Sequence, residues 1–202
     1  MRTNFFLSAC AVLLLFSSCT KQTQAPFLQT HNDNAVMMSL HEMITNTDNI
    51  SFSKGLEGDF IDVMQTLHHG GLEMANGIFH ENKNDSLMQI AEGVSQDLHV
   101  LLYDLKKVDS GSLHNEDSLF RTEFVINLAE MSEVSDVQLI TGDVDNDYAT
   151  LMIPHHELVI ATCNSYLKYG SDSSFRSKVQ EIIDLENAEI LELTSWLIEN
   201  KR

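Results

Sequence analysis

A chain of 202 residues with 30 acidic and 12 basic side chains carries a formal net charge of −18. Such a surface repels nucleic acid and anionic lipid head groups, so neither is expected as a partner, and it attracts cations only diffusely. With 43% hydrophobic residues, two prolines and nine glycines, the composition is that of a helical globular protein large enough for one substantial core.

Residues 1–18 read as a lipoprotein signal peptide. Arg2 gives a short positive start, FFLSACAVLLLF is apolar but too short to span a bilayer, and small residues precede Cys19. Cys19 is then the lipidated first residue of the mature chain, and the polar, unpatterned stretch 19–30 is its tether. The expected location is the bacterial cell envelope, at the outer membrane, with the bilayer touched through lipid alone. Cys10 leaves with the signal and Cys19 takes lipid, so Cys163 stands alone and no intramolecular disulfide is expected. Its simplest role is that of a small buried hydrophobe.

Six helices are expected after the tether, at about 31–48, 59–82, 85–108, 115–135, 146–169 and 173–199. The first holds His31, Met37, Met38, His41 and Met43, thioether and imidazole groups that suit reduced copper but serve as readily to fill a core. The second carries Met64, His68 and His69, with His99 near their level on the third, a possible second metal site. Gly70 and Gly71 follow at once; each costs about 1 kcal/mol in a helix interior, so a close helix approach or a bend is expected there. DSGS at 109–112 is a linker.

The last two helices form a hairpin turning at Gly170 to Asp172. In 173–199, Phe175, Val179, Ile182, Glu186, Glu189, Leu193 and Trp196 recur at spacings of four and three, the seam of a helix packed on a partner. In 146–169 the same spacing picks Tyr148, Met152, His155, Val159, Thr162 and Tyr166. Antiparallel helices rise together, so His155 and His156 should lie level with Glu186 and Glu189. Charges buried in a seam must be paired, protonated or metal-bound. Two readings stay open: a His–Glu bond that sets register, or a metal site of His155, His156, Glu186 and Glu189 with the Met152 thioether.

The chain also repeats with an offset of 88 residues. Asp59 falls on Asp147, Met64 on Met152, His68 on His156, Leu87 on Phe175 and Val94 on Ile182. Two helical units follow, 31–108 and 113–199. The first has Leu67, Leu98 and Leu101 where the second has His155, Glu186 and Glu189, which suggests that those three positions touch.

The run TGDVDNDYATLMIPHH, with ENAEILELTSW on the next helix, resembles the bacterial domain-of-unknown-function family numbered 305. Its pattern falls on Tyr148, Met152 to His156, Glu186, Glu189, Ile190, Leu193 and Trp196, with Glu186 in place of a Gln and Leu193 in place of a Met. The first unit, DFIDVMQTLHHGGLEMA, follows the pattern only in a degenerate form. The resemblance implies a ferritin-like four-helix bundle, secreted or anchored at the envelope, with relatives associated with copper or silver. It brings no established reaction.

The expected function is therefore an envelope lipoprotein that binds a transition metal, copper favoured, for buffering or sequestration. A di-metal oxidase would need Glu-x-x-His, which the chain lacks, and no G-x-S-x-G elbow, phosphate loop or dinucleotide fingerprint occurs, so no enzyme is expected. The alternative is a structural or interaction module of the envelope without metal, in which His155 and Glu189 simply bond each other.

Overall fold

The computed structural model describes residues 28–79, 84–105 and 115–200, the side chains of 97–105 and 115–117 excepted. The signal, Cys19, the DSGS linker and the side chains of Leu98, His99 and Leu101 lie outside the described residues.

Every regular element among the described residues is helical, so the fold is all-α. A 3₁₀ turn, His31–Asp33, precedes α1 (Ala35–Thr47), α2 (Gly55–Phe79), α3 (Asp85–Leu105), α4 (Asn115–Asp136), α5 (Val144–Tyr169) and α6 (Ser173–Glu199). Two starts differ from expectation. The Asn34 side chain caps α1 by accepting from Met37 N at 2.9 Å, which leaves His31 in the turn ahead of the helix. The helix expected from 59 begins at Gly55, whose φ of +80° only glycine adopts without cost. None of these helices is long and apolar enough to cross a membrane.

The hairpin turns where the sequence places it. Asp172 accepts from Phe175 N at 2.7 Å and so caps α6. Arg176 Nη1 donates back to the carbonyls of Leu167 and Gly170, closing the open end of α5. Gly170 is required for space: a Cβ there would lie 2.4 Å from the Tyr166 ring.

Packing joins the two halves of the chain around one core. The helices α2, α3, α6 and α5 each touch the next and close a ring, while α1 and α4 each pack on both α2 and α5. Buried side chains from every helix belong to one cluster. Near the α5–α6 turn, Phe60, Tyr166 and Phe175 form an aromatic plug with ring centroids 4.8–5.6 Å apart. One polar contact occurs in both halves: Asp59 Oδ1 accepts from Lys54 N, and Asp147 Oδ2 from Gly142 N, each at 2.9 Å and five residues back.

Gly70 does admit a close neighbour. A Cβ at this position would stand 2.3 Å from Cγ and 2.5 Å from Cβ of Met43, which is itself buried. Gly70→Ala is therefore expected to lower unfolding free energy by about 1–2 kcal/mol, overpacking outweighing the helix-propensity gain. Gly93→Ala, with nothing within 4 Å of its Cβ, should raise it by up to about 1 kcal/mol. Urea unfolding of the two variants checks the contrast.

Candidate metal centre

Five ionisable side chains from three helices meet in the middle of this core. His68 comes from α2, His155 and His156 from α5, Glu186 and Glu189 from α6, and all five are buried. Adjacent residues on a helix point about 100° apart, yet His155 and His156 are both fully buried. The reason is that α5 touches α1, α2, α4 and α6, which bury all but a narrow stripe through Glu157, Asn164 and Lys168.

His156 is the hub. Its Nδ1 is hydrogen-bonded to Glu186 Oε2 and lies 3.3 Å from Glu189 Oε2. Ligand atoms of His156, Glu186 and Glu189 all fall within 4.8 Å of one another, close enough to share an ion. The other oxygen of Glu186, Oε1, stands 3.8 Å from His68 Nε2, and neither atom has a hydrogen-bond partner. That gap is too long for a hydrogen bond. A first-row ion could bridge it, given bonds of about 2.0–2.2 Å to nitrogen and oxygen.

Five buried imidazole nitrogens lack a hydrogen bond: both of His68, both of His155, and Nε2 of His156. Buried polar atoms are rarely left so, because each forfeits its water without replacement. Burial presses the His68 imidazole down to about 4, Glu186 opposing and His156 adding to it. Burial, then the nearby His156 and His68, hold His155 well below its ordinary value. Burial acts downward on His156 too, but the Glu186 charge and hydrogen bond, with Glu189, prevail and raise it. The cluster thus presents two neutral imidazoles, the form that ligates metals, beside two carboxyl groups.

Sulfur-bearing side chains lie one or two turns along the same helices. Met152 is buried one turn before His156, and Met64 one turn before His68. Cys163, buried two turns after His156, has its thiol pushed well up by burial and then by Glu186, so it stays protonated while no cation is near. Tyr148, whose buried hydroxyl has no hydrogen bond, is raised by burial and by Glu189.

The structure rearranges the sequence-derived sets. Glu186 and Glu189 meet His156; His155, which the seam selects and which a metal-free bond to Glu189 would need, has no hydrogen bond. The expected contact of positions 155, 186 and 189 is thus made through 156. Of the set His68, His69, Met64 and His99, the first and third are buried and His69 is exposed. His68 turns inward to Glu186, whereas His69 is exposed on the other side of α2, and the His99 side chain lies outside the described residues. Spacing alone missed His68 as a member of the central cluster, although the 88-residue offset pairs it with His156. Of the methionines in 31–43, Met37 and Met43 fill the core and Met38 is exposed.

Residues 106–197 match the family described as Domain of unknown function (DUF305). No curated protein and no solved structure matches the chain.

Proposed function

Residues 106–197 belong to the DUF305 family, and from that premise we propose that the protein binds one transition-metal ion inside a ferritin-like bundle of two duplicated hairpins. His156, Glu186 and Glu189 are the inner ligands, His68 and His155 complete the set, and Met152 lies beside it. The carrying observation is the group of five buried, unbonded imidazole nitrogens next to two carboxyl groups. The duplicated-hairpin reading draws support from the matching Lys54–Asp59 and Gly142–Asp147 contacts.

Copper is favoured because an imidazole and carboxylate site holds Cu(II) more tightly than Fe(II) or Zn(II), and the buried Met152, one turn from His156, would supply the thioether that suits Cu(I). The role is buffering or sequestration at the cell envelope, where a lipid on Cys19 would tether the chain, and not turnover. The His156–Glu186 bond by itself would equally fit an envelope module without metal. The free nitrogens of His68 and His155 do not fit that alternative.

The test is a titration of the soluble form beginning after Ala25 with Cu(I), Cu(II), Zn(II) and Fe(II), following melting temperature and bound ion. Wild type should take up Cu(I) stoichiometrically and melt higher. His155→Ala/His156→Ala should lose that uptake; unchanged Cu(I) binding in the double variant would overturn the site.

A further inference from the structure

A second group of metal-ligating side chains lies on the surface and shares no residue with the buried cluster. We propose that His31, His41 and Asp136 form a separate site for a borderline divalent ion, Zn(II) in the first instance, which staples the segment before α1 to the end of α4. The three come from three elements: His31 from the 3₁₀ turn, His41 from α1, and Asp136 from the last position of α4. One ligand atom from each lies within 4.8 Å of the others. His41 Nε2 is already 3.1 Å from Asp136 Oδ1.

The scaffold is set by protein contacts alone. Gln29 N donates to Ile140 O at 2.8 Å, which lays the incoming strand of chain along the α4–α5 connection. Asn34 Nδ2 donates to Asp147 Oδ2 at 2.9 Å, and Gln29 Nε2 to Asp33 O at 2.7 Å. His31 Nε2 lies 3.2 Å from Gln138 O, which orients its ring beside the end of α4. The imidazole of His31 is thereby held near its two partners, so an ion need not organise the segment in order to bind.

Two imidazoles and one carboxylate give the three-ligand set that Zn(II) accepts with a fourth position open to water. These donors suit Zn(II) or Cu(II) better than Cu(I), which prefers sulfur, so Zn(II) is the ion with which to test the surface site. Access is direct, because the side chains of His41 and Asp136 are 37% and 53% exposed.

The test is a Zn(II) competition titration against a chelating indicator on the full chain. The variants are His41→Ala, Asp136→Asn and His155→Ala/His156→Ala. One Zn(II) equivalent should persist in the buried-site double variant and weaken at least about tenfold in each surface variant. Zn(II) should also slow exchange of the Gln29 amide proton, which bonds to Ile140 O; Asp136→Asn, close in shape to wild type, should abolish that slowing. Zn(II) uptake unaffected by both surface variants, uptake lost only in His155→Ala/His156→Ala, or no uptake by wild type would each overturn the proposal. None of these results bears on Cu(I) binding inside the bundle.

Discussion

Replacing His156 with Ala is expected to cost the metal-free protein about 3–5 kcal/mol of unfolding free energy, the largest stability loss of any single change considered. The cause is what the change leaves behind. Glu186 has no exposed surface, its Oε2 is bonded to His156, and its Oε1 has no hydrogen-bond partner. Without the imidazole, the carboxyl group stays buried with no donor within hydrogen-bond distance. Urea unfolding without metal measures the loss, and a change below about 1 kcal/mol would mean that the bond is dispensable. A second variant separates structural from ligating roles. His156→Leu/Glu186→Leu removes both partners, and apolar replacement of a buried pair is often neutral or stabilising. It should recover most of the wild-type stability and still show no rise in melting temperature with Cu(I). A Cu(I) response retained in that stable double variant would remove His156 and Glu186 from the ligand set.

The sequence carries the fold well because hydrophobic periodicity and capping chemistry are local. The seam from Phe175 to Trp196 is buried at every position it names, Glu186 and Glu189 included, since α6 has one face against the core and one in water. Asp172 and Gly170 mark the turn for equally local reasons, a cap and a close approach to Tyr166. Periodicity is not sharp enough on α5. The face that its four neighbours bury is wide enough to take both His155 and His156, so spacing could not decide between them as the partner of the glutamates. It also put His68 in a separate set and gave no hint that it joins Glu186, because the approach of α2 to α5 and α6 is a tertiary event. The offset between the halves held that signal: His68 and His156 occupy matching positions, and both face Glu186. Asp136 was invisible in the same way, brought to His41 across 95 residues of chain by the packing of α1 and α4 around α2 and α5.

Acid should destabilise the metal-free protein from about pH 6.5 downward, and His68 should account for a measurable share. Its folded value is about 4 against an ordinary 6.5, with burial the main cause and with Glu186 and His156 the ionisable groups facing it. Between those two pH values the unfolded chain takes up a proton that the folded chain refuses. Stability is therefore complete above 6.5 and falls as pH is lowered, by about 1.4 kcal/mol per pH unit for each such histidine. His155, also held low, adds a second proton of the same sign. His156 acts oppositely: its value is raised, so its contribution is complete below 6.5 and is lost as pH climbs through the folded value. Together the three histidines place a stability maximum near pH 6.5 in the metal-free state. Unfolding free energies measured from pH 4.5 to 8 on wild type and His68→Leu would isolate one of them. The variant should show a shallower acid limb, by about 1.4 kcal/mol per pH unit, with the alkaline limb unchanged. Equal acid limbs would mean that His68 accepts its proton inside the fold, which would make it a charged partner of Glu186 instead of a neutral ligand. Bound metal should steepen the acid limb in wild type, since protons and the ion compete for the same nitrogens. In His68→Leu that steepening should shrink, because one of the competing nitrogen donors is gone.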